Sequence, residues 1–237
     1  MAGTPLHNIL FLDIETAGQF PSFSEVPEPF QKLWAEKTKF QRKDEITPAD
    51  YYARAGIYAE FGKVICICCG VFQAKGSDTV FIIKTFAGDD ECALLNQFAL
   101  FLSQDVIGKA RMKLCAHNGK EFDYPYLCRR MLVHGIRIPD LLNTSGLKPW
   151  EVPHLDTMEM WKFGDYKHYT SLKLLAAVFS LRSSKDDIDG SMVNEVYWRE
   201  KDLERIAEYC RKDVVLLAEV YCRLLGEHVP DFRLIYK

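Results

Sequence analysis

The apolar run Ile9-Leu10-Phe11-Leu12 delivers two acids, Asp13 and Glu15, with only Ile14 between them. Such a run reads as a buried strand, and in extended backbone residues i and i+2 point to the same side, about 7 Å apart along the strand. Two carboxylates therefore share one face at the end of a buried strand. Acids also end strands simply where solvent begins, so the pair gains chemical meaning only if other acids converge on it.

Further strands are expected at 63–72 ("KVICICCGVF") and 79–86 ("TVFIIKTF"), joined by a hairpin loop, "QAKGSD". Helical spacing follows over 89–104, then a strand at "KLCAHN" (113–118) and a helix ending near Gly135. Asp156 ends another candidate strand, in "PHLDTMEM", as a candidate support for a site rather than a catalytic residue. Helices at 171–181 and 202–225 are separated by the acidic loop "SSKDDIDG" (183–190). This order predicts an α/β fold with a mixed five-stranded β-sheet flanked by α-helices. Residues 18–62, broken by Pro21, Pro27, Pro29 and Pro48, read as an insertion with one or two helices packing near the end of the first strand, or as a flexible lid.

At 237 residues the chain fits one large domain, 1–237. Its net charge of −3 leaves no basic footprint, so a nucleic-acid role has to be argued from a site. Eight cysteines, three of them (Cys66, Cys68 and Cys69) crowded into one apolar run and the rest scattered, point to reduced thiols and a cytoplasmic location, with Cys66 and Cys68 as small core residues rather than zinc ligands. "MAGTPLHN" lacks the basic start of a signal peptide, and no run approaches the ~18 apolar residues of a membrane span. His117, His134, His154 and His168 show no ligand spacing and read as surface or hydrogen-bonded residues. Lys120, Arg129 and Arg130 supply either local positive charge for phosphates or a solvated helix face.

Two other stretches carry acids of interest. Asp123, in "AHNGKEFDYPYL", stands two residues before Pro125, where an N-cap is the ordinary explanation. In "DLERIAEYCRKDVVLLAEVYCRLL", Leu203, Ile206, Ala207, Cys210, Val214, Leu217 and Tyr221 form an apolar stripe, with Tyr209 and Asp213 four apart on its flank. A solvated helix acid is the commoner case for Asp213, and Tyr209 beside it favours a paired site. Four carboxylates brought together repel, at roughly 4 kcal/mol for a unit-charge pair 4 Å apart at an effective dielectric of 20. Divalent cations relieve that repulsion, and all-oxygen donors suit Mg²⁺ or Mn²⁺. Two such ions ~3.5–4 Å apart can activate a water and stabilise the leaving oxygen in phosphodiester cleavage.

"DIET", "HNGKEFDYPYL" and "YCRKD", in this order, resemble the three motifs of the DEDD superfamily of 3′-5′ exonucleases on the ribonuclease H-like fold. The Tyr-x-x-x-Asp form of the last motif is similar to the DEDDy branch. Within it the chain resembles stand-alone exonucleases related to the proofreading domain of family B DNA polymerases, a likeness extended by "AEFGKVICICCGVF" and "YTSLKLLAAVFSLRSSKDDIDGSMV". The resemblance implies that Asp13 bridges two metal ions, that Glu15 binds one and touches the attacking water, and that Asp123 and Asp213 complete the pair of sites. It implies that Tyr209 orients the water, and that Asn118 and Phe122 face the substrate; Phe122 fits a core position equally well. The implied partner is a single-stranded 3′ end, DNA ahead of RNA, and the implied products are nucleoside monophosphates. Two rivals stand beside this: a Mg²⁺-dependent aspartyl-phosphate phosphatase, which also uses acids spaced i, i+2, and an inactive nucleic-acid binding module on the same fold.

Overall fold

Strand β1, Ile9–Gly18, lies at the centre of a six-stranded sheet ordered β5-β4-β1-β2-β3-β6. The computed structural model describes residues 4–42, 45–104, 112–165, 169–181 and 188–237. β2 (Gly62–Lys75) runs antiparallel to β1 and to β3 (Asp78–Ala87). β4 (Lys113–Ala116) is parallel to β1 and to the short β5 (Leu155–Asp156), and β6 (Arg233–Tyr236) is parallel to β3. The sheet is thus mixed, with one strand more than expected. β6 is only four residues long, half-exposed on the rim, too short for its pattern to stand out. The β2-β3 turn is also tighter than the expected loop. Pairing continues to Lys75 and Asp78, which leaves Gly76 and Ser77 to turn the chain, with Gly76 in the left-handed region at φ 66°.

The helices are α1 (Glu28–Lys37), α2 (Pro48–Tyr51), α3 (Glu91–Leu102), α4 (Asp123–Val133), α5 (Thr157–Lys162), α6 (Leu172–Val178), α7 (Val193–Glu195) and α8 (Leu203–Leu224). Alternation along β1 assigns them to faces. Leu10, Leu12 and Ile14 meet Leu95 and Phe98 of α3 and Leu127 and Met131 of α4. Ile9 and Phe11 meet Cys210, Val214, Leu217 and Tyr221 of α8. Each fully buried aliphatic side chain contributes about 1.5–3 kcal/mol, so the apolar stripe fixes which way α8 faces. Gly70 lets the helix approach, because a Cβ there would strike the Phe81 ring and Val214. Asp13 and Glu15 follow Phe11 on the same side, so they emerge toward α8.

The 18–62 segment has helices, as expected, and a small core of its own around the fully buried Trp34. The Trp34 indole donates to the Pro48 carbonyl at 2.7 Å, and α2 opens on a capping box between Thr47 and Asp50. The segment is fastened beside β1: Tyr126 Oη donates to Gly56 O at 2.8 Å, and Arg130 Nη1 to Ala59 O at 2.9 Å. Arg130 is therefore neither a phosphate contact nor a solvated residue. It is buried and forms a two-pronged pair with Glu91 at 2.6 and 2.9 Å. Lys120 is engaged too, with Glu159 at 2.7 Å.

All eight cysteines are free thiols. No helix among the described residues is long and apolar enough to cross a membrane. His117, His134 and His154 are hydrogen-bonded, while His168 and most of the 183–190 loop lie outside the described residues.

Candidate active site

Asp13 and Glu15 stand opposite Cys68 and Cys66 of β2, and the register slips between Glu15 and Thr16. The bulge shifts the ladder just beyond the second acid, and pairing continues to Gly18 and Gly62, so the acids sit within β1 rather than at its end. Glu15 is buried and Asp13 half-buried. Burial first, then the negative charges of Glu15, Asp123 and Asp213, push the Asp13 carboxyl well above the usual carboxylate range. Glu15 is raised for the same reasons, burial ahead of Asp213, and the ammonium of Lys173 partly offsets this. The acids of three distant segments therefore share one neighbourhood.

Asp123 is the first residue of α4, and the N-cap position belongs to Phe122, which has no side-chain cap bond. The capping explanation for Asp123 thus fails. Its side chain is buried, and that burial, with Asp156 nearby, raises it to about 7 against the pull of the Ile14 and Asp123 backbone amides.

Asp202 caps α8 by accepting the Arg205 N–H at 3.0 Å, and the helix then carries Tyr209 and Asp213 to the acids on consecutive turns. Tyr209 is buried and hydrogen-bonded to Asp213, its phenol pushed above the ordinary range by burial and by the charges of Asp213, Glu15 and Asp13. It holds its proton and acts as a donor. Lys173, on α6, lies 5.1 Å from the Tyr209 ring centroid.

The loop between β4 and α4 is shaped by Asp156. Its carboxylate accepts the backbone N–H groups of Asn118 (3.0 Å) and Lys120 (3.1 Å) and those of Met158 (3.0 Å) and Glu159 (3.3 Å) at the start of α5. Asn118 adopts φ 64°, a conformation Asn tolerates better than most residues, and its Oδ1 is buried without a protein donor. Phe122 is half-buried, its ring 5.3 Å from that of Tyr126 at the margin of the core. The structure thus gathers Asp13, Glu15, Asp123, Tyr209 and Asp213, with Asn118 on the adjoining loop and Phe122 packed on Tyr126.

Two contributors escaped the sequence reading. One is Lys173. The other is Cys210, whose thiol donates to Asp13 Oδ2 at 3.3 Å and which reads in sequence only as one member of the apolar stripe. Oxygens of Asp13 and Glu15 lie within 4.8 Å of each other and of the Cys210 sulfur. A buried, mutually repelling, carboxylate-rich donor set fits a hard divalent cation.

A family model described as "Predicted 3'-5' exonuclease related to the exonuclease domain of PolB" matches residues 57–228, a stretch holding Asp123, Tyr209 and Asp213, with Asp13 and Glu15 before it. The fold is similar to the family B DNA polymerase from the hyperthermophilic archaeon Pyrobaculum calidifontis, with a TM-score of 0.57 and 16% identity over 95% of this chain. The match takes in 25% of that polymerase's length. No curated protein matches the sequence. The chain belongs to the family of predicted 3′-5′ exonucleases related to the exonuclease domain of PolB, and it carries that domain's ribonuclease H-like fold.

Proposed function

We propose that the protein is a metal-dependent exonuclease that hydrolyses the terminal phosphodiester at the 3′ end of single-stranded nucleic acid, DNA ahead of RNA, and releases nucleoside monophosphates. The observation that carries this reading is the convergence of Asp13, Glu15, Asp123 and Asp213 with the protonated Tyr209, from β1, α4 and α8, into one group whose charges act on one another. Residues 1–237 act as one catalytic unit, the 18–62 segment included, because Gly56 and Ala59 are bonded to the helix that begins with Asp123.

Asp13, Glu15, Asp123 and Asp213 would hold two cations, Mg²⁺ or Mn²⁺. Bound there, these supply Lewis acidity toward a water and toward the leaving oxygen. The chain's own groups do the rest. Tyr209 orients the attacking water through its hydroxyl, since its raised pKa leaves no phenolate near neutral pH to act as a base. Lys173 adds positive charge beside Tyr209 and Glu15, on the side where a phosphate has to approach a net negative protein. Asp156 holds the loop of Asn118 in place, and Asn118 would face the nucleotide from that loop.

The test is product analysis on matched single-stranded DNA and RNA labelled at the 5′ end, with Mg²⁺ or Mn²⁺. The expected result is a ladder shortening from the 3′ end with mononucleotide products, faster on DNA. Full-length substrate in every lane refutes the reading.

A further inference from the structure

We propose that Cys66, Cys68 and Cys210 form a binding site for a soft metal ion of the Zn²⁺ or Cd²⁺ type, and that filling it disables the acidic site alongside. Cys66 and Cys68 are i, i+2 on β2, so both face α8, whereas Cys69 between strand and α3 belongs to the opposite core. Cys210 meets them from the helix, and the three sulfurs lie within 4.8 Å of one another, all fully buried. A tetrahedral zinc ion with bonds of ~2.3 Å to sulfur separates its sulfurs by roughly 3.8 Å. Cys66 and Cys68 already stand 3.9 Å apart, so little movement is needed to close three thiolates on one ion. Sequence spacing hides this set, because its third member comes from the far end of the chain.

The site lies close to the surface. Cys68 Sγ lies 3.5 Å from Thr85 Oγ1, and Thr85 lines an open groove of about 540 Å³ with Glu204, Glu208 and Arg211. On binding, three S–H bonds break, their protons go to solvent, and three metal–sulfur bonds form, which leaves a divalent site with a net charge of −1. Cys210 then no longer donates to Asp13 Oδ2, and that oxygen, 3.3 Å from the same sulfur, is within reach as a fourth ligand. Either change takes Asp13 away from a hard cation. The binding half of the proposal stands on the thiols alone; the inhibitory half rests on the exonuclease reading.

The experiment titrates the reduced full-length protein with Cd²⁺ and follows thiolate-to-cadmium charge-transfer absorption, with no nucleic acid present. The expected result is a band complete at one equivalent, weakened at least tenfold in affinity by Cys66→Ser and by Cys68→Ser, and unchanged by Cys92→Ser or Cys128→Ser. Circular dichroism checks that each variant is folded, and Cys66→Ala serves where the serine is not tolerated. No band from a folded wild-type protein, or a band that survives both serine variants, overturns the site. In the cleavage assay, one equivalent of Cd²⁺ over excess Mg²⁺ should slow wild type at least tenfold and spare Cys66→Ser; equal inhibition of both overturns the inhibitory half. A protein that gives the band yet cuts nothing before cadmium is added refutes the exonuclease reading and supports the thiol site.

Discussion

Asp156 accepts the backbone N–H of Asn118 at 3.0 Å, and through that bond the second acidic motif is tied to the edge strand β5. The same carboxylate caps α5, so one side chain sets both the loop and the helix behind it. Asp156→Ala removes an N-cap and two loop bonds, and a loss of about 2–3 kcal/mol is expected from urea unfolding. Because the loop leads into Asp123, kcat should fall as well, with Asp156→Asn recovering part of it through its remaining Oδ1.

Glu91 and Arg130 form a pair that is costly to break from one side. Glu91 also accepts the Val64 N–H at 2.7 Å and lies 2.8 Å from His134 Nε2. Arg130→Met should destabilise by about 3–5 kcal/mol, because it leaves a buried carboxylate uncompensated, while joint replacement with Glu91→Met should cost much less. Burial alone would raise Glu91, but the bonds from Arg130, His134 and Val64 outweigh it and hold its pKa below the ordinary value. A depressed carboxyl stabilises the fold above its unfolded pKa of ~4.3 and loses that contribution as pH falls through the folded value. Stability curves should therefore drop on acidification in wild type, and less steeply in the double variant.

Asp123 has the opposite sign. Its folded pKa of about 7 lies above the ordinary 3.8, so the folded chain holds a proton that the unfolded chain has released. Stability from this group is complete below pH ~4 and is lost as pH rises toward 7, by up to about 4 kcal/mol at 1.36 kcal/mol per unit. In the presence of a chelator, unfolding free energy should fall between pH 5 and pH 8, and Asp123→Asn should flatten that slope. Adding Mn²⁺ should restore stability at pH 8 in wild type and not in the variant.

Tyr209→Phe keeps the ring packed beneath Lys173 and deletes only the donor. Loss of one positioned hydrogen-bond donor predicts a fall in kcat of roughly 10²-fold with little change in melting temperature. The pH-rate profile should keep its shape between pH 6 and pH 9, since a phenol raised by burial does not titrate there. A profile that loses an ionisation in Tyr209→Phe would assign the phenol a proton-transfer role instead.

Legibility in the sequence followed the range of the interaction. Asp13 and Glu15 were readable from strand alternation, and Tyr209 and Asp213 from their four-residue helical spacing, because both relations are set by local backbone geometry. The extent of β1, β2 and β3 was readable to within a few residues. What escaped depends on how separate segments approach one another. Lys173 and Cys210 have unremarkable neighbours in sequence, and their roles arise only when α6 and α8 close on β1. Arg130 was misread because a helix face that looks solvated is covered here by Glu91 and the 18–62 segment.

The most direct measurement is the single-turnover rate of 3′-end cleavage of single-stranded DNA by wild type and Asp13→Asn at saturating Mn²⁺, with oligonucleotide binding and melting temperature followed in parallel. Asp13 lies at the meeting point of the other acids, and its neutralised form should lose at least 10³-fold in rate while keeping its fold and substrate affinity. An Asp13→Asn protein that cuts at the wild-type rate would contradict the account.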